Sequence, residues 1–122
     1  MTIIDNADRP ERLFAEHHMD DDVRVVALRG EIDYDGKTIL SEALLPPEAD
    51  LRAARIVADI TEVTFMDSVG INVLLAAHQR ASSAGGWVRV AGAQESVLRT
   101  LLLVGLDTII TCHPTVKQAI TG

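Results

Sequence analysis

The chain has 122 residues, 48% of them hydrophobic, and carries 18 Asp and Glu against 11 Lys and Arg, a net charge of −7. That length is one domain's worth, and an acidic surface opposes non-specific binding to nucleic acid or anionic membrane while suiting a basic protein partner. Aromatic residues make up only 3% of the chain, so the core has to be aliphatic, built from Val, Ile, Leu and Ala.

Residues 1 to 10 are polar and end at Pro10; they are expected as a loose N-terminal arm ahead of a domain over residues 11 to 122. A first strand over residues 12 to 18 is predicted, although the His17-His18 pair fits a strand poorly. Asp20-Asp21-Asp22 reads as a turn, and residues 23 to 28 as a well-buried strand closed by Gly30, so the two strands form a hairpin. Asp33 or Asp35 is placed to cap a helix over residues 36 to 45, with Ile39, Leu40, Ala43 and Leu44 on its apolar face. Pro46-Pro47 stops it, because proline removes a donor and disfavours helix in the residue before it. Residues 48 to 54 are a polar connection or a short extra turn.

Residues 55 to 61 form the next strand, and the unbroken Ile56-Val57-Ala58 predicts a central strand covered on both faces. A helix from Ser68 to about residue 84 carries Ile71, Leu74, Leu75 and His78 on one stripe and ends at Gly85-Gly86. Residues 87 to 91 are a strand. Residues 95 to 104 are a helix with Val97, Leu98, Leu101 and Leu102 inward, capped by Gly105. Residues 108 to 112 are predicted as a last short strand, and Pro114 is placed in the first turn of a terminal helix that packs back through Val116, Ala119 and Ile120. Strands separated by helices imply right-handed crossovers and a largely parallel sheet. The expectation is therefore an α/β domain with a mixed, mostly parallel sheet, an N-terminal hairpin and about four helices.

No apolar run approaches the roughly 20 residues needed to cross a bilayer. The start, Met1-Thr2-Ile3-Ile4-Asp5-Asn6-Ala7-Asp8, has no basic stretch followed by an apolar one and does not read as a signal peptide. The only cysteine, Cys112, allows no intrachain disulfide, which fits a reducing compartment; it reads as a small core residue. A cytoplasmic location is expected.

The chemistry on offer is narrow. His17 and His18 are adjacent and would point to opposite faces of a strand, His78 and His113 stand alone, and there is no Cys-x-x-Cys, so no metal site is expected. Neither phosphate-cradling glycine motif is present, so no nucleotide cofactor is expected. The most informative stretch is Asp67-Ser68, set where a strand hands over to a helix. Backbone N–H groups at a helix start lack intrahelical partners and favour negative charge, so a serine there can carry a phosphate with little added strain. A plain cap at Asp67 or Ser68 explains the same residues. A hydrolase elbow needs G-x-S-x-G, whereas Met66-Asp67-Ser68-Val69-Gly70 lacks the first glycine. His78 would lie about 15 Å further along the helix, too far to activate the serine; spacing alone does not exclude His113. Glu31 and Asp33 also follow a strand, and in parallel sheets functional groups gather at the carboxyl ends of strands. A turn acid plus a cap at Asp33 accounts for them equally well.

Gly30-Glu31-Ile32-Asp33, then Val57-Ala58-Asp59-Ile60, then Phe65-Met66-Asp67-Ser68-Val69-Gly70-Ile71 resembles the STAS domains of bacterial anti-sigma factor antagonists. Ser83-Ala84-Gly85-Gly86, Leu103-Val104-Gly105-Leu106-Asp107 and Pro114-Thr115-Val116 are similar to the same pattern, so the resemblance covers residues 11 to 121. It implies a single STAS domain with no catalysis, cofactor or metal of its own, acting in sigma factor regulation and the stress response. It implies partner switching: the protein binds an anti-sigma factor that is also a serine kinase, the sigma factor is released, the kinase phosphorylates Ser68 and binding is lost. A PP2C-type phosphatase reverses the modification. The implied partner-binding set is Glu31, Asp33, Asp67, Ser68, Val69 and Gly70, on a monomer or weak dimer, with no nucleic acid or membrane partner and no fused transporter or sensor segment. Val69 stands where many members carry a second Ser or Thr, which leaves Ser68 as the lone phosphoacceptor. The alternatives are a non-switching STAS scaffold in a signalling or lipid-transport assembly, disfavoured by the intact Asp67-Ser68, and a small serine hydrolase, disfavoured by the missing glycine.

Overall fold

The computed structural model describes residues 12–45 and 54–122. The expected arm, the Pro46-Pro47 stop and nearly all of the 48–54 connection lie outside the described residues. Strand β1 (Leu13–Asp20) runs antiparallel to β2 (Val23–Ile32) through a tight turn in which Asp21 takes a positive φ of 55°, a conformation that a short polar side chain tolerates. Strands β3 (Arg55–Met66), β4 (Trp87–Ala91) and β5 (Cys112–His113) follow in parallel, giving a five-stranded sheet in the order β1-β2-β3-β4-β5.

Three helices, α1 (Lys37–Leu44), α2 (Ser68–Ser83) and α3 (Glu95–Leu103), cover one face of the sheet, and α4 (Val116–Thr121) covers part of the other. Period-2 alternation in the strands feeds both layers. Val26, Leu28, Ile32, Ile56, Ala58 and Ile60 meet Leu40, Leu44, Ile71, Leu74, Val97 and Leu101 on one side. Val23, Val25, Val57 and Ala91 meet Ala119 on the other, flanked by Trp87, Val116 and Ile120. The expected central strand is thus β3, with Ile56, Val57 and Ala58 all buried. The core is aliphatic, as the composition requires: Phe14, Tyr34 and Phe65 are exposed, and Trp87 is half-buried with the Arg89 guanidinium 3.7 Å above its ring.

Several boundaries differ from expectation. Gly30 does not close β2. It takes φ +114° inside a bulge where a side chain would overlap the Arg12 carbonyl, and Glu31 N–H donates to that carbonyl at 2.8 Å, so the strand runs on to Ile32. β3 likewise continues past residue 61, because Glu31 pairs with Phe65 and Ile32 with Met66. The predicted strand over 108 to 112 shrinks to Cys112–His113. Left-handed Gly105 (φ 79°) starts a 3₁₀ turn over Leu106–Thr108, and the Ile110 amide donates back to the Leu106 carbonyl at 2.8 Å. Leu106 and Ile110 therefore enter the core with helical rather than strand spacing. On α3, Val97 and Leu101 are buried, but Leu102 is half exposed and Leu98 only partly buried. Pro114 sits ahead of α4; Thr115 is its N-cap, with its hydroxyl accepting from the Gln118 amide at 3.1 Å.

His78, the polar member of the stripe on α2, has a structural partner that the sequence does not show. The Val90 and Gly92 amides donate to the Thr111 and His113 carbonyls along β5, at 2.9 Å each. The β4–β5 pairing does not reach back to Val88 on the same edge. His78 Nδ1 accepts from the Val88 amide instead, at 3.1 Å, and Nε2 lies 3.4 Å from the Ser82 hydroxyl. The Val88 bond fixes Nδ1 as the unprotonated nitrogen. Replacing the acceptor by an apolar group of similar size leaves a part-buried donor unpaired. His78→Leu is expected to lower unfolding stability by about 1–3 kcal/mol, as a shifted midpoint at unchanged slope in urea denaturation.

Candidate functional site

The carboxyl ends of β2 and β3 each hand over to a helical element through an aspartate. Asp33, extended at φ −135°, ψ −168°, accepts from the Asp35 and Gly36 amides at 3.0 and 3.3 Å and caps the 3₁₀ turn Tyr34–Gly36 that leads into α1. Asp67, extended at φ −107°, ψ −169°, accepts from the Val69 amide at 2.9 Å and caps α2. Of the alternatives open from sequence, the caps are therefore Asp33 and Asp67. The two devices are joined directly: the Asp67 amide donates to the Ile32 carbonyl at 3.1 Å, beyond the Ile32–Met66 pair that ends the ladder.

Gly70 makes this junction possible. A Cβ there would lie 2.6 Å from Ile32 Cγ2 and 2.7 Å from Met66 Cγ, inside any real contact distance. The first turn of α2 can rest on the two strand ends only because that position has no side chain. Gly70 is consequently buried, Val69 half-buried, and Ser68, the first helical residue, exposed. Asp33 and the Asp67-Ser68 pair thus lie side by side at one end of the sheet, with Glu31 exposed on the adjoining edge of β2. Arg12 Nη1 lies 3.8 Å from Glu31 Oε1 and 3.7 Å from Asp33 Oδ2. The Arg12–Glu31 pair is solvent-exposed and contributes little to stability, whereas Asp33 is more buried and also caps the turn.

Two exposed residues absent from the sequence-based site adjoin it: Tyr34 follows Asp33 in the chain, and Phe65 is the register partner of Glu31. Tyr34 is 74% exposed and Phe65 is 48% exposed. A signal was present: aromatics are scarce in this chain, Tyr34 is flanked by Asp33 and Asp35, and Phe65 alternates with inward-facing Met66.

Nothing at the site supports nucleophilic catalysis. Among the described residues no histidine ring is hydrogen-bonded to Ser68; His78 holds Val88, and His113, on the far edge strand, lies 3.1 Å from the Thr111 hydroxyl. No group of three His, Cys, Asp or Glu among the described residues is arranged to hold a metal ion. Cys112 is half-buried; desolvation, and then the Asp107 carboxylate, push its thiol pKa up, which disfavours the reactive thiolate. No described helix is long and apolar enough to cross a membrane.

Comparison with known proteins decides the family. The STAS domain model matches residues 15–119. The anti-sigma-F factor antagonist RsfB of Mycobacterium tuberculosis is 32% identical over 100 residues, covering 82% of this chain and 80% of that protein. The chain belongs to the STAS-domain family of anti-sigma factor antagonists. The anti-sigma-B factor antagonist of Bacillus subtilis is 31% identical over 88 residues, covering 70% of this chain and 76% of its own. The crystal structure of an anti-sigma factor antagonist from Mycobacterium paratuberculosis superposes with a TM-score of 0.82 at 29% identity, over 93% of this chain and 95% of that one. Antagonists of this family regulate without catalysis of their own.

The close approach at Gly70 gives a direct test of how the STAS site is held. Gly70→Ala drives a methyl group into Ile32 and Met66, and overpacking of this kind typically costs about 1–3 kcal/mol. The expected result is a lowered unfolding midpoint, together with faster amide exchange in the first turn of α2. An unchanged midpoint would show that the helix start tolerates displacement.

Proposed function

We propose that this protein binds an anti-sigma factor with serine kinase activity, so that the sigma factor is released, and that phosphorylation of Ser68 by that kinase ends the interaction until a PP2C-type phosphatase restores it. One observation carries this reading. Ser68 stands exposed on the first turn of α2, at the carboxyl end of β3, with Asp67 capping the turn and Asp33 beside it. The two curated relatives are, by name, antagonists of anti-sigma factors, which supports a partner of the same class here. Glu31, Asp33, Asp67, Ser68, Val69 and Gly70 form the partner-facing set on this reading.

The geometry suits a modification that changes binding without unfolding the protein. A phosphate on Ser68 adds about −1.5 to −2 charges at neutral pH, next to backbone N–H groups and the positive end of the α2 dipole, which favour negative charge. A partner packed over Ser68 would meet added bulk and a charge that has to lose its water. A loss of ~3 kcal/mol would weaken binding by roughly a hundredfold.

The test is to incubate the protein with each purified anti-sigma factor kinase of its own cell, map the phosphosite, and measure affinity by calorimetry. Phosphorylation is expected at Ser68 and to be absent from Ser68→Ala, which should still bind. Ser68→Asp and the phosphorylated protein should bind poorly while retaining their thermal midpoints. Equal affinity of phosphorylated and unphosphorylated protein would eliminate the switch.

Asp33 separates binding from capping. Losing the cap alone costs about 1 kcal/mol of stability. Asp33→Ala is expected to lose more in partner affinity or phosphorylation rate than it loses in stability, read by calorimetry, kinase assay and urea denaturation on one preparation. A stability loss of that size with binding and phosphorylation unchanged would reduce Asp33 to a cap.

A further inference from the structure

The chain keeps every one of its four aromatic residues out of the fully buried core. Two of them flank the Asp67–Ile32 hydrogen bond in sequence: Tyr34 lies two residues beyond Ile32, and Phe65 two residues before Asp67. Neither has a packing role that requires the ring. Tyr34 is 74% exposed on a 3₁₀ turn already held by Asp33, and Phe65 is 48% exposed at the end of a strand whose inward residues are Val63 and Met66. Carboxylates adjoin both: Asp33 and Asp35 flank Tyr34 in the chain and Glu31 is the register partner of Phe65, with Arg12 within 4 Å of Glu31 and Asp33. Exposed aromatics beside like charges have the makeup of an interface in which the rings carry the energy and the charges steer approach.

Resting on the reading that Ser68 faces an anti-sigma factor, we propose that Tyr34 and Phe65 are the apolar anchors of that interface. Its occupant is a protein surface with apolar pockets for the two rings and a rim of Arg and Lys that meets Glu31, Asp33 and Asp35.

The probe is the anti-sigma factor kinase found to phosphorylate Ser68, and the readout is binding kinetics with the unphosphorylated protein. Tyr34→Ala and Phe65→Thr (threonine keeps the strand preference) should each raise the dissociation rate about tenfold or more, with association changed less than about twofold and the thermal midpoint retained. Glu31→Gln should mainly slow association and flatten its salt dependence. Leu103→Ala, at an 80% exposed leucine of α3, should leave both rates unchanged. If the wild-type protein binds and is switched by Ser68 but Tyr34→Ala and Phe65→Thr dissociate at the wild-type rate, the anchors are refuted and the function stands. If no kinase of the cell binds or phosphorylates the wild-type protein, the function itself fails, and the anchors with it. If sedimentation of the protein alone shows a dimer that both substitutions dissolve, the rings serve a second copy instead and the proposal is overturned.

Discussion

One contact sets the position of every residue at the site: the first turn of α2 lies against the ends of β2 and β3 with no side chain between. The Asp67 amide reaches the Ile32 carbonyl, and Gly70 sits where a methyl group would strike Ile32 and Met66. A helix that started elsewhere would present Ser68 at a different height above the sheet, and Asp33 would no longer stand beside it. The constraint is local in sequence on one side, Met66 to Gly70, and long-range on the other, through Ile32. It therefore exists only once the parallel β2–β3 ladder has formed, and that ladder is the longest parallel pairing in the sheet.

The same ladder explains what was legible in the sequence. The element order, the aliphatic core and the strand-to-helix handover at Asp67 all follow from periodicity and turn chemistry, which are properties of a few neighbouring residues. Ser68 falls on the first helical turn, as the apolar strand before it and the helical stripe after it require. What was not legible depends on partners distant in the chain. Gly30 reads as a terminator, and only the approach of the Arg12 carbonyl turns it into a bulge inside a continuing strand. Thr61-Glu62 reads as an end, and only pairing with β2 carries β3 on to Met66. Leu106, Ile109 and Ile110 offer apolar residues that fit a strand or a helical turn, and left-handed Gly105 selects the turn. His78 is polar on an apolar stripe, and only the missing neighbour of Val88 gives it a purpose.

Coverage of the sheet is uneven, and this bears on where a partner can sit. Helices α1, α2 and α3 fill one face, whereas α4 lies over Val23, Val25, Val57 and Ala91, toward the amino ends of β2 and β3. Beyond it the β1–β2–β3 ribbon runs on, carrying Phe14 beneath Arg29, with the Arg29 guanidinium 4.8 Å from the ring centroid, then Glu31 beside Phe65. The larger rings are left for the surface, where each offers more contact area per lost rotamer than an aliphatic chain does.

On the proposed reading, the electrostatics of a phosphate at Ser68 would turn on water more than on charge. In the free protein the modified serine is exposed, and two unit charges about 4 Å apart in water interact by only about 1 kcal/mol, so the acids already at the site offer little resistance and the helix end offers some welcome. Under a docked partner the same charges sit in a medium of effective dielectric near 20, where each such interaction grows about fourfold. The dianion must also give up its hydration. On the proposed reading the modification would be cheap in the free state and expensive in the bound state, and that difference would move the equilibrium. A site already rich in carboxylates gives the larger difference, because every neighbouring acid that is tolerable in water becomes an opponent once water leaves. On the proposed reading, the acidic surroundings of Ser68 serve two purposes in sequence: they draw a basic-rimmed partner in before phosphorylation and help to expel it afterwards.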